Sequence, residues 1–188
     1  MVIDMKRGIN KIPLLYNRFH KGIFMLIYYN YDIVMQEIPT EVMLSFSILG
    51  CPNNCNGCHW DKINHRLDKG KKLDMNELRI ILNKYSNSIS GVLFFGGEWD
   101  TKYLIELIEF IKKEYSSLKI ALYSGKDLKE LDINLLEKLD YIKYGPYIKE
   151  LGNLKSNITN QRLLNLNTKE DITYMFWTDI IGVNKEYE

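Results

Sequence analysis

An α/β fold, an open partial (βα) barrel of mostly parallel strands, is what this sequence predicts, and three observations carry it. Over residues 42–144 short apolar runs alternate with segments of helical periodicity, the pattern of parallel strands joined by crossovers. The runs stop at turn-forming residues, as at Gly96-Gly97, Ser124-Gly125 and Gly145-Pro146. The units are too few to close an eight-fold barrel, so the sheet is expected to stay open.

At 188 residues the chain is long enough for one domain with a substantial core. An apolar share of 46% fits a globular protein and excludes a disordered or fibrous one. Net charge is +1 with acids and bases interspersed, so no nucleic acid and no membrane surface is expected as partner. No apolar run is long enough to span a bilayer. An odd cysteine count, clustered and without a secretory leader, points to a reducing cytoplasm.

Residues 1–24 carry Lys6, Arg7, Lys11, Arg18 and Lys21 against Asp4, with Pro13 and Gly22 interrupting. They lack the apolar centre of a signal peptide and read as a disordered or non-native extension, with a single domain over 25–188. Leu26–Val34 is rich in aromatic and β-branched residues and reads as a strand, broken by Pro39. Val42–Leu49 is the next strand and runs straight into Gly50 and the cysteines, so the loop sits at a strand's carboxyl end, where α/β sheets place ligands. A polar stretch follows through Lys72. Asp74 then starts a helix with Glu77 in the capping-box position and Leu78, Ile81, Leu82 and Tyr85 at helical spacing. Gly91–Phe95 reads as a buried parallel strand. The next helix has Leu104, Leu107, Ile108 and Ile111 inside, and Glu106, Glu109, Lys112 and Lys113 mainly outside that stripe. Leu118–Tyr123 is a strand, 134–139 a short helix and Tyr141–Tyr144 a strand. Residues 161–167 and 172–177 are possible late strands.

Chemistry concentrates in Cys51-Pro52-Asn53-Asn54-Cys55-Asn56-Gly57-Cys58, which holds every cysteine of the chain. The spacing also matches one face of a helix, but Pro52, Asn53, Asn54, Asn56 and Gly57 are turn formers, so a loop is expected. Three thiolates on a loop suit a soft metal centre. A structural zinc would take a fourth ligand, from His59 or His65, yet no second Cys or His pair lies downstream. A 4Fe–4S cluster takes one thiolate per iron, so three cysteines leave one iron open. That is the favoured reading, with zinc and disulfide as the alternatives.

This three-cysteine spacing resembles the radical S-adenosylmethionine (SAM) superfamily, in which the amino and carboxylate groups of SAM chelate the open iron. The resemblance implies a fold of the radical SAM type, with Cys51, Cys55 and Cys58 as both metal ligands and catalytic centre. Gly96-Gly97-Glu98 is similar to the superfamily segment that meets the amino group of SAM, with Trp99 where a proline is usual. It marks Gly97 and Glu98 as cofactor contacts; alone, the segment reads as a turn beside a solvated charge. Ser124, in Tyr123-Ser124-Gly125, is a candidate for the carboxylate or ribose of SAM, with a plain strand-ending turn as the equal alternative. The family's adenine-packing aromatic position is Gly57 here, so Gly57 and His59 are taken as contacts, with Trp60 as stacking ring or simple core.

Tyr144–Leu151 and Thr159–Leu163 are similar to the closing segment of anaerobic ribonucleoside-triphosphate reductase-activating proteins, and the resemblance spans roughly 25–166. The chain departs from them at Glu37-Ile38-Pro39-Thr40-Glu41, where an Asn-Gly-x-Gly-x-Arg stretch is common. The resemblance implies an oxygen-sensitive activase with two cofactors, a 4Fe–4S cluster and SAM. It implies two partners: the large catalytic subunit of the anaerobic reductase, which receives a glycyl radical, and a flavodoxin- or ferredoxin-type electron donor. The alternatives are another glycyl-radical enzyme or peptide as target, or a non-catalytic iron–sulfur electron-transfer module. Asn160-Gln161-Arg162 is read as a structural turn, with partner docking as the sharper reading.

Overall fold

The apolar runs pair in register to make the centre of one sheet. The computed structural model describes residues 25–53, 55–58 and 62–177; residues 1–24, Asn54, His59, Trp60, Asp61 and 178–188 lie outside these. Four strands run parallel side by side: β2 (Met43–Ile48), β4 (Gly91–Phe95), β5 (Lys119–Tyr123) and β6 (Tyr141–Tyr144). Antiparallel strands extend both sides: β1 (Leu26–Val34) and β3 (Lys71–Leu73) on one, β7 (Arg162–Asn165) and β8 (Glu170–Asp171) on the other. The order is β3-β1-β2-β4-β5-β6-β7-β8, and the two ends do not meet. The open, mixed α/β sheet with a parallel centre is the fold class the sequence predicts. Both edges carry exposed charge, Lys71 and Lys72 at one and Glu170 and Asp171 at the other, which discourages pairing with other chains.

Three helices serve the crossovers: α1 (Met75–Tyr85), α2 (Thr101–Glu114) and α3 (Ile133–Leu136). The expected α2 stripe of Leu104, Leu107, Ile108 and Ile111 is fully buried. It packs with Leu78 and Leu82 of α1 against Leu44, Phe46, Val92, Phe94, Ile120, Leu122 and Ile142. Those strand residues alternate with a second row facing away from the helices, as a pleated strand requires. On that other face Met43, Leu93, Ala121 and Tyr141 form a smaller apolar cluster with Leu163 and Ile172. Two residues further along each strand the same face turns toward the cysteine loop.

Strand β1 contributes through a bulge. Tyr28 pairs with Ile48 but Tyr31 with Phe46, so one extra residue sits in β1. Parity changes there. Leu26 and Tyr28 belong to the helix-side core before the bulge, and Tyr31 and Ile33 pack against it after. Asn30, Asp32 and Val34 thereby face the cavity on the opposite side.

Local details depart from the sequence expectation for identifiable reasons. Asp74 caps α1, accepting from the amides of Asn76 at 3.0 Å and Glu77 at 2.9 Å. Glu77 does not reciprocate; it accepts from the Tyr28 hydroxyl at 2.6 Å. A reciprocal capping box occurs instead at Asp127 and Glu130. The polar stretch hides β3, too short for a visible apolar pattern. Residues 172–177, expected as a strand, hold a 3-10 turn over Thr173–Phe176, begun by the Asp171 carboxylate accepting from the Thr173 amide at 2.9 Å. The short helix expected at 134–139 spans Ile133–Leu136, capped by Asp132.

Removing part of the α2 stripe tests the main core. Leu107→Ala deletes a fully buried side chain and is expected to cost about 2–5 kcal/mol, read as a lower urea midpoint at unchanged slope. A loss under about 1 kcal/mol would mean this face is not packed as described.

Candidate functional site

The parallel register sets the carboxyl ends of β2, β4, β5 and β6 side by side, and the chain spends its unusual residues there. Ser47 pairs with Phe95, Phe95 with Tyr123 and Tyr123 with Lys143, one row across four strands. All four residues line a cavity of about 960 Å³. Cys51, Cys55, Cys58, Gly57, Glu98 and Ser124, all expected from the sequence, line it too. His59, expected beside them, lies outside the described residues. A smaller cavity of about 230 Å³ shares Glu37, Tyr123, Lys143, Asn153 and Gln161 with the first.

The cysteine segment is a loop, as its turn formers require. Its three thiols are free and half-buried, and the Cys58 amide closes a turn onto the Cys55 carbonyl at 3.1 Å. Among the described residues no three His, Cys, Asp or Glu side chains are grouped as the ligands of a single ion. A cubane puts its thiolates on separate irons and needs no such crowding. The donor set therefore fits a cluster held by three cysteines. Burial pushes the Cys51 thiol up to about 11, with Glu98 and the other two thiols adding to the effect; a bound metal would reverse this by holding the thiolate.

Two glycines deliver Glu98. Gly96 and Gly97 have φ of +88° and +107°, a region that suits residues without Cβ. A Cβ on Gly96 would also lie 2.7 Å from the Trp99 ring, which covers it. Gly97 turns toward the core, where a Cβ would meet Leu26 at 3.1 Å, while Gly96 faces the cavity. Glu98 ends up almost wholly buried, and burial raises its carboxyl pKa. Its Oε1 accepts from the Ser124 hydroxyl at 2.7 Å, while Oε2 is buried without a partner. Ser124 also accepts from the Lys126 amide at 3.0 Å. Its proton is thus spent on orienting Glu98.

The sequence reading missed Lys143, Tyr147 and Asn64. Lys143 is 9% exposed in the middle of a buried strand. Burial pulls its pKa down to about 8, against the opposing pull of Cys55, Cys58, Glu98 and Glu37. Its Nζ stands 5.8 Å from the centre of the Tyr123 ring, and Tyr123 donates its hydroxyl to the Glu37 carbonyl. A lysine flanked by Tyr-Ile and Tyr in an otherwise apolar strand was the available signal. Tyr147 lines the cavity beside Gly57, where a Cβ would come within 3.6 Å of its ring. It brings an aromatic face to the position where the cysteine loop has none. Asn64, in the polar stretch, hydrogen-bonds the backbone of Gly50 and Cys51 at the head of the cysteine loop.

A family model described as a 4Fe-4S single cluster domain matches residues 41–166. The chain belongs to that family. No curated protein matches it in sequence. In structure it is similar to the crystal structure of QueE from Escherichia coli, with a TM-score of 0.50 at 11% identity over 92% of this chain and 84% of that one. That likeness concerns the fold. Among the described residues no helix is long and apolar enough to cross a membrane.

Lys143 supplies a test on the metal-free protein. An amine whose folded pKa lies near 8, below its unfolded value, destabilises the fold fully under pH 8, and the penalty fades as pH rises toward its unfolded value. Lys143→Met is therefore expected to stabilise the apoprotein by on the order of 3 kcal/mol at neutral pH. The gain over wild type should shrink steadily above pH 8 in thermal denaturation. A gain independent of pH would show that the buried charge is not its source.

Proposed function

We propose that this chain is a radical SAM activase that generates a glycyl radical on the large subunit of an anaerobic (class III) ribonucleoside-triphosphate reductase. The bound cluster and SAM would supply the chemistry: one electron and SAM yield methionine and 5′-deoxyadenosine, the hydrogen atom coming from the target glycine. Family membership over residues 41–166 supports the cluster, and an open α/β fold shared with QueE accords with the radical SAM superfamily. The finer assignment rests on the cysteine spacing, Gly96-Gly97-Glu98 and the closing segments at 144–151 and 159–163.

The single observation that carries the SAM reading is the orphan Oε2 of Glu98. A buried carboxylate oxygen without a donor is costly, and Glu98 lines the same cavity as the three cysteines, whose thiols are free. An ammonium group there would satisfy it and favour the ionised acid. Lys143, on the same cavity wall two strands away, offers a cation for a carboxylate. A ligand carrying both an amine and a carboxylate suits this pair. Tyr147 gives it an aromatic face beside Gly57. Ser124 keeps Glu98 oriented. The sheet's unjoined edges leave room for a segment of a large partner to approach the cavity.

The decisive experiment is anaerobic reconstitution with iron and sulfide, then reaction with SAM and a reductant in the presence of the candidate reductase. A glycyl doublet in the electron paramagnetic resonance spectrum of the reductase, with 5′-deoxyadenosine formed, is the expected result. SAM cleavage without the doublet would redirect the proposal to another target. No cleavage by fully loaded protein would leave an electron-transfer module. Glu98→Gln, which retains shape but not charge, is expected to weaken SAM binding by roughly 10- to 100-fold with iron content unchanged, measured by equilibrium binding.

A further inference from the structure

We propose that Asn64 is a positioning residue that fixes Cys51 and holds its backbone donor away from the cluster, keeping the cluster's reduction potential low. This rests on the iron–sulfur reading of the cysteine loop.

Asn64 is 7% exposed, and each part of its side chain is used on the residues at the head of that loop. Its Oδ1 accepts from the Cys51 amide at 2.9 Å and from the Gly50 amide at 3.1 Å. Its Nδ2 donates to the Cys51 carbonyl at 2.8 Å. The Asn64 carbonyl takes a further bond from the Gly50 amide at 2.8 Å. Both peptide groups of Cys51 are thus gripped by one carboxamide, leaving the thiol to face the cavity. Gly50, at φ +94°, makes the turn that allows this.

The electrostatic consequence follows from where those protons point. Reduction adds negative charge to a cluster, and donors aimed at its sulfurs, or water beside them, stabilise that charge and raise the potential. The Cys51 sulfur accepts from the Asn53 amide, but the amides of Gly50 and Cys51 are committed to Asn64. Removing the carboxamide frees the Cys51 amide, while the Gly50 amide keeps the Asn64 carbonyl, and it opens a buried polar space to solvent; each change acts upward on the potential. A carboxylate at the same place would still accept from the two amides and would add negative charge.

The test compares wild type, Asn64→Ala and Asn64→Asp after anaerobic reconstitution, by redox titration followed with electron paramagnetic resonance, with iron and sulfide assayed in each. A potential raised in Asn64→Ala, and not raised in Asn64→Asp, is the expected pattern. An unshifted Asn64→Ala potential with full cluster content would overturn the proposal and leave Asn64 a loop brace. Should Asn64→Ala retain no cluster, Asn64→Asp decides: a potential at or below wild type supports the inference and one above it refutes it. In the metal-free wild type, the Cys51 amide should exchange slowly with deuterium; rapid exchange would also refute it. Zinc in place of iron would instead remove the reading of the loop on which this depends.

Discussion

The parallel registration of β2, β4, β5 and β6 is the constraint from which the site descends. Because β2, β4 and β5 start level, β6 joins opposite Ala121 and all pair without a shift, one row of residues crosses the sheet. Along the face away from the helices, Met43, Leu93, Ala121 and Tyr141 or their neighbours fill one end with apolar packing. Two residues on, Ser45 or Ser47, Phe95, Tyr123 and Lys143 occupy the other end, where the cavity begins. The loops that follow β2, β4 and β5 then carry the thiols, Glu98 and Ser124 into that cavity. A slip of one residue in any pairing would exchange its core and cavity faces.

Charge in the cavity is finely opposed. Burial disfavours ionised Cys51, Glu98 and Lys143 alike, raising the two acids and lowering the amine. The groups are close enough to ease one another, since Lys143 favours the charged Glu98 and the acids favour the charged lysine. Such a clustering of perturbed groups in one cavity is the electrostatic mark of a functional site. Far from it, at the amino ends of the strands, buried Glu41 is already satisfied by Lys119 and by the Tyr141 hydroxyl at 3.0 Å. The contrast separates a structural carboxylate from one awaiting a donor.

Legibility followed the length of the signal. The α2 stripe, the parallel strands and the cysteine loop each had periodicity, apolar runs or a clustered residue type, and they fall where the sequence pointed. Strand β3 has three residues, two of them lysines, and leaves no pattern. Glu77 had the right position for a capping box but found Tyr28, a residue 49 positions away. Asn64 and Tyr147 act through contacts that only the folded chain creates, with no local mark in composition. Ser124 was legible as a site residue, while its work of orienting Glu98 was not. Gly97 was legible as a special backbone position, yet its neighbour Gly96 is the one exposed to the cavity.

The bulge between Tyr28 and Tyr31 has a consequence for how this strand tolerates a change of length. Two residues there stand opposite one, so loss of a single codon at that point would leave a regular strand, with Tyr28 still opposite Ile48 and Tyr31 still opposite Phe46. Tyr31 and Ile33 would stay on the core and Asp32 and Val34 on the cavity wall. A deletion anywhere else in the strand would have to be absorbed by a new irregularity or would exchange the two faces.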